Sequence, residues 1–167
     1  ISKMESIKSI VAVESDKLGK DLRLVILSDF IRKEFYVNST LNDLELNKIG
    51  VIPIFEKLRR ENKNNKKIGV LTGSIIIIPA DSYPAFKTTS AKYGVYDTYA
   101  SPVPFDPNYL SINQTEGLQH NIVHIVTQLF QAGEIEILLG TKSLLGEGWD
   151  APAINSLILA SFVGSFV

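Results

Sequence analysis

Between Gly140 and Asp150 the chain concentrates groups that handle phosphates and sugars. Thr141 and Ser143 carry hydroxyls that hydrogen-bond phosphate oxygens, as do the backbone N–H groups beside them. Gly146 and Gly148 permit backbone conformations and close approaches that a Cβ would block. Asp150, followed by Ala151-Pro152, can accept hydrogen bonds from ribose hydroxyls or pair with an arginine. The same residues also suit an ordinary connection, in which the glycines end a helix and the acids face solvent.

Two apolar runs frame this stretch. Ile135, Ile137, Leu138 and Leu139 stop at Gly140, and a second run covers residues 157–160. Short apolar runs bounded by turn residues read as buried parallel strands. The connection between them then leaves the C-terminal edge of a parallel sheet, where open α/β folds bind ligands.

Upstream, residues 3–18 predict an amphipathic helix closed by Gly19, and residues 22–27 a buried strand ending at Ser28-Asp29. A helix is expected over 30–35, with Ser28 or Asp29 as its cap, then a polar surface loop over 36–46. The next helix, 48–61, carries Pro53 in its first turns, where proline is tolerated. A basic link, 62–67, leads to a strand at 68–72, which Gly73-Ser74 breaks and 75–78 resumes. Five of the six tyrosines and four of the seven prolines fall within 80–113, which reads as a partly extended insertion packed on the core. Residues 115–132 predict a helix ended by Gly133. His120 and His124 stand one turn apart on it, but no third ligand accompanies them, so they read as surface or packing residues.

The 167 residues suffice for one domain with a substantial core, and 45% hydrophobic with 21% charged content argues against disorder. The absence of cysteine excludes disulfides and thiolate metal sites and suits a reducing, cytoplasmic compartment. No run is long enough to span a bilayer, so no membrane partner is expected. The net charge of −1 gives no overall nucleic-acid footprint. Its distribution is uneven: residues 1–70 hold 14 basic and 10 acidic side chains, the remainder 3 and 8. The start at Ile1 and the apolar finish at 160–167 read as those of an excerpt from a longer protein.

Gly140-Thr141-Lys142-Ser143-Leu144-Leu145-Gly146-Glu147-Gly148-Trp149-Asp150-Ala151-Pro152 resembles motif V of superfamily 2 helicases, the DEAD/DEAH-like enzymes of restriction and repair in particular. Residues 26–32 are similar to motif IV, and Leu71-Thr72-Gly73 to a strand end that touches the nucleic-acid backbone. The resemblance implies a single RecA-like helicase C-terminal domain over 1–167, of the P-loop NTPase type. Its sheet would be open and mainly parallel, with helices on both faces. By that resemblance Gly146, Glu147, Gly148 and Asp150 face the nucleotide, and Ser28, Gly73, Thr141 and Lys142 the DNA or RNA. ATP would bind against the first RecA-like domain, which would hold most of the Mg2+ contacts. Neither a P-loop nor a motif VI (Gln-x-x-Gly-Arg-x-x-Arg) lies within the 167 residues, so the chain alone is expected to hydrolyse no ATP. A non-motor α/β domain that binds a small molecule or a protein partner remains the alternative.

Overall fold

The computed structural model describes residues 3–35, 49–104, 106–146 and 148–160. The elements are α1 (Lys3–Leu18), β1 (Leu24–Ser28), α2 (Val51–Arg60), β2 (Ile68–Leu71), β3 (Ile76–Pro79), α3 (Tyr83–Lys92), β4 (Ala100–Val103), β5 (Asp106–Ile112), α4 (Glu116–Gln131), β6 (Ile137–Thr141), a single helical turn α5 (Lys142–Leu145) and β7 (Ser156–Leu159). They form one seven-stranded open sheet in the order β4-β5-β3-β2-β6-β1-β7. The α/β class and the helices on both faces are as the sequence predicts.

Four strands, β2-β6-β1-β7, are parallel, and β3, β5 and β4 extend the sheet in antiparallel fashion. Every residue of β1 and β6 is buried, because both faces are covered. On one face Met4, Ile7 and Val11 of α1 and Val51, Ile54, Phe55 and Leu58 of α2 pack on Leu24, Ile26, Ile137 and Leu139. On the other, Phe86 of α3 and Leu118, Ile122, Ile125, Leu129 and Phe130 of α4 pack on Val25, Leu27 and Leu138. Thr115 caps α4 by accepting from the Leu118 N–H.

Several expectations change. No α-helix forms over 30–35; a single tight turn occupies Lys33–Phe35, because the carbonyls of Phe30 and Ile31 accept from the N–H groups of Val51 (2.8 Å) and Ile52 (3.0 Å) and Arg32 has a left-handed φ of 61°. The loop expected over 36–46 lies outside the described residues. The 68–78 stretch is a hairpin, not an interrupted strand: the Thr72 hydroxyl accepts from the N–H groups of Ser74 (3.2 Å) and Ile75 (2.9 Å) and turns the chain back on itself. The described residues of segment 80–113 form α3 and the paired strands β4 and β5, and Tyr109 meets Phe55 edge-on at 5.1 Å. Finally, β7 is an edge strand, so Leu157 and Leu159 are exposed rather than buried. Among the described residues no helix is long and apolar enough to cross a membrane.

Two ionic devices hold α2. Glu56 is fully buried and accepts from Arg59 Nε (2.7 Å), Arg59 Nη2 (2.8 Å) and Arg60 Nη2 (3.2 Å). Truncation of one member of a buried ionic cluster costs about 3–5 kcal/mol. Glu56→Ala is therefore expected to lower the urea-unfolding midpoint by that equivalent, with the slope unchanged.

At the other rim, Lys57 bonds Glu5 on α1 (2.8 Å) and approaches Glu61 (3.3 Å), while Lys8 bonds Glu61 (2.8 Å). The Lys57 bond draws the Glu5 carboxyl below its ordinary value, the Lys8 bond does the same to Glu61, and Glu5 in turn raises Lys57. Carboxyls lowered by folding stabilise above their unfolded pKa; a lysine raised by folding stabilises below its own. The stability difference between the native chain and Lys57→Met should thus be constant from pH 4.5 to 10.5. It should shrink below that window as the carboxylates protonate, and above it as the lysine deprotonates. Urea titrations across pH measure it, and added salt should reduce the difference.

Candidate functional site at the C-terminal edge of the parallel strands

The register of the parallel strands decides what shares their edge. Ser28 pairs with Thr141 across β1 and β6, and Leu71 with Gly140 across β2 and β6, so the turn that begins at Thr72 and carries Gly73 leaves the same edge. Gly140 and Thr141 belong to β6 itself, not to the connecting loop. Ser28, Gly73, Thr141 and Lys142 therefore gather on one edge of the sheet, and the loop of Gly146, Gly148 and Asp150 comes directly after α5.

Their accessibility differs. Gly73 and Ser143 are exposed, whereas Ser28 and Thr141 are 1% and 6% exposed. The Ser28 hydroxyl accepts from the Phe30 N–H at 3.4 Å, and Thr141 Oγ1 accepts from the Ser143 hydroxyl at 3.3 Å. Both hydroxyls thus serve the local backbone and the turn, and of the three hydroxyl residues Ser143 is the exposed one. Lys142 extends outward to an ion pair with Asp29 at 3.6 Å, both side chains being more than a third exposed. Such a pair is worth little in water, so an arriving phosphate would compete with Asp29 for Lys142 on even terms.

The glycines have backbone reasons. A Cβ on Gly146 would stand 2.2 Å from the carbonyl oxygen of Lys142, in the turn of α5. Gly148 has a φ of +81°, with open space around it. Glu147 lies outside the described residues. Trp149 anchors the end of the loop: its indole Nε1 donates to Thr127 Oγ1 of α4 at 2.9 Å and its ring lies 6.4 Å from that of Phe130. Asp150 is exposed beyond it.

The residues that sequence reasoning passed over are those facing this loop. Tyr93, His124, Thr127, Gln128 and Trp149 line a cavity of about 480 Å³ with Asp150 at its margin. The histidine pair has metal-ligand spacing, but among the described residues no cluster of His, Asp or Glu can hold a metal, and His124 instead stacks on Tyr93. The signal that could have pointed to the cavity is the only tryptophan of the chain, sitting between Gly148 and Asp150.

No protein-family model, no curated protein and no solved structure matches the chain.

The two glycines should separate in their response to a methyl group. Gly148→Ala is expected to cost about 1–2 kcal/mol, the strain of a left-handed residue with no steric clash added. Gly146→Ala should cost more, because backbone must move to admit the Cβ. Parallel urea unfolding of the two variants measures the order.

Proposed function

We propose that this chain is the second RecA-like domain of a nucleic-acid-dependent ATPase of superfamily 2, a helicase or translocase acting on DNA or RNA in the cytoplasm. The observation that carries the reading is the convergence of Ser28, Gly73, Thr141 and Lys142 on one edge of the parallel strands, with the Gly146–Asp150 loop leaving the same edge. In this reading the backbone of a nucleic-acid strand lies along Gly73 and the start of α5. Its cationic partner there is Lys142, once released from Asp29, with the exposed residues Gly73 and Ser143 beside it. The buried hydroxyls of Ser28 and Thr141 shape that edge rather than touch the strand. Asp150 faces the ribose of ATP held against a first RecA-like domain, which supplies the P-loop and most contacts to Mg2+. Phosphoryl transfer then needs both domains, since its charge must be stabilised from both sides of the cleft.

The burial of Ser28 and Thr141 is the observation that favours the alternative, a non-motor α/β domain binding a small molecule or protein partner.

Binding of a labelled single-stranded oligonucleotide separates the two. Lys142→Ala is expected to weaken binding and to reduce the slope of log affinity against log salt by about one. Asp29→Asn, which frees Lys142, should strengthen binding. A polypeptide extended through its neighbouring domains should hydrolyse ATP faster with nucleic acid present, and lose that turnover in Asp150→Ala. Absence of oligonucleotide binding, or indifference to both Lys142 and Asp29, overturns the motor reading.

A further inference from the structure

The cavity beside Asp150 has built walls. Its floor is one face of α4, where His124, Thr127, Gln128 and Gln131 recur at helical spacing. One wall is Tyr93, at the end of α3; its ring stacks on His124 (6.0 Å between centroids, 13° between planes) and its hydroxyl accepts from Gln128 Nε2 at 2.6 Å. The other wall is Trp149, fixed by its bond to Thr127. Tyr93 and Trp149 are thus each tied to α4 by a hydrogen bond, and His124 belongs to α4 itself. Preorganised planar walls reduce the ordering cost of binding.

The charge of the lining restricts the ligand. Among the described residues Asp150 is its one carboxylate, and no lysine or arginine lines the cavity. A phosphate or carboxylate group finds no counter-charge there. The polar groups on offer are the carboxylate of Asp150, the Gln131 amide, the imidazole of His124 and the Tyr93 hydroxyl, which keeps its own proton to donate. They match a flat nitrogen heterocycle with ring acceptors and amino or hydroxyl donors. The volume of about 480 Å³ exceeds that of one such ring and leaves room for an attached sugar.

We propose that this groove binds a nucleoside, its base lying against Tyr93, His124 and Trp149 and its amino or ribose hydroxyl donors meeting Asp150. The inference stands on the groove's own geometry; it uses the carboxylate that the motor reading gives to the ribose of ATP, and the two uses of Asp150 are alternatives.

Trp149 is the only tryptophan, so fluorescence excited beyond the absorption of the six tyrosines reports on this groove. Titration with adenosine is expected to quench it saturably, and adenosine monophosphate, with a dianion to place near Asp150, should bind more weakly. Stacking on an aromatic side chain is worth about 1–3 kcal/mol per base, so His124→Ala and Tyr93→Leu should each weaken adenosine by roughly five-fold or more. His124 is exposed, so that variant leaves the core intact. Asp150→Asn should weaken adenosine and narrow its advantage over the monophosphate. Absence of saturable quenching by adenosine overturns the proposal. So does quenching that His124→Ala and Tyr93→Leu leave unchanged. Saturable quenching by argininamide but not by adenosine also overturns it, and reassigns the groove to a guanidinium group.

Discussion

The edge that carries the candidate site is set from the opposite end of the sheet, by Glu136. Its backbone N–H donates to the Lys67 carbonyl (2.7 Å), its carbonyl accepts from Leu24 (2.9 Å), and its carboxylate accepts from the Lys67 N–H (2.9 Å) while Lys66 stands 3.6 Å away. One nearly buried residue thereby joins the starts of β1, β2 and β6. A strand advances about 3.3 Å per residue and alternates its faces, so a slip of one residue would exchange the two apolar faces of a buried strand. With the starts fixed, Ser28 must meet Thr141 and Leu71 must meet Gly140 at the far ends. The pairing of the candidate-site positions is in this sense a consequence of a residue at the opposite end of the strands.

The loop after β6 answers to two demands at once. Its glycines satisfy the turn at Lys142 and a left-handed φ, which are requirements of folding. Trp149 then ties the loop to α4, which brings Asp150 to the margin of an aromatic-walled groove. Backbone geometry accounts for the glycines, and packing on α4 accounts for Trp149, while Asp150 is exposed.

How much can be read from the residues depends on how far each signal reaches. β1, β6 and α4 are legible because burial on both strand faces or on one helix stripe leaves a continuous or periodic apolar pattern. Residues 30–35 are not, because their carbonyls are taken by Val51 and Ile52, about twenty positions away, and no local propensity encodes that. The 72–75 turn hides behind β-branched residues, since a threonine side chain and not a glycine conformation makes it. The site is legible as a composition at 140–150, but the burial of Ser28 and Thr141 depends on their place in the strands of the sheet, and the meeting of Tyr93 and His124 beside Trp149 depends on the packing of α3 against α4.

The strand order has a consequence for synthesis. β1 lies between β6 and β7, so both of its hydrogen-bonding edges await partners more than a hundred residues downstream. At ribosomal rates of roughly 5–20 residues per second, the apolar Leu24–Ser28 strand emerges on the order of 5–20 s before Ile137–Thr141 can pair with it. During that interval α1 and then α2 are the available cover for one of its faces, through Met4, Ile7 and Val11 and later Ile54 and Phe55. The other face waits for α3 and then α4. Between the emergence of Leu24–Ser28 and that of Ile137–Thr141 the nascent chain therefore carries an unpaired β-strand, and among the described residues shielding it falls to α1 and α2, together with whatever binds exposed hydrophobic segments at the ribosome.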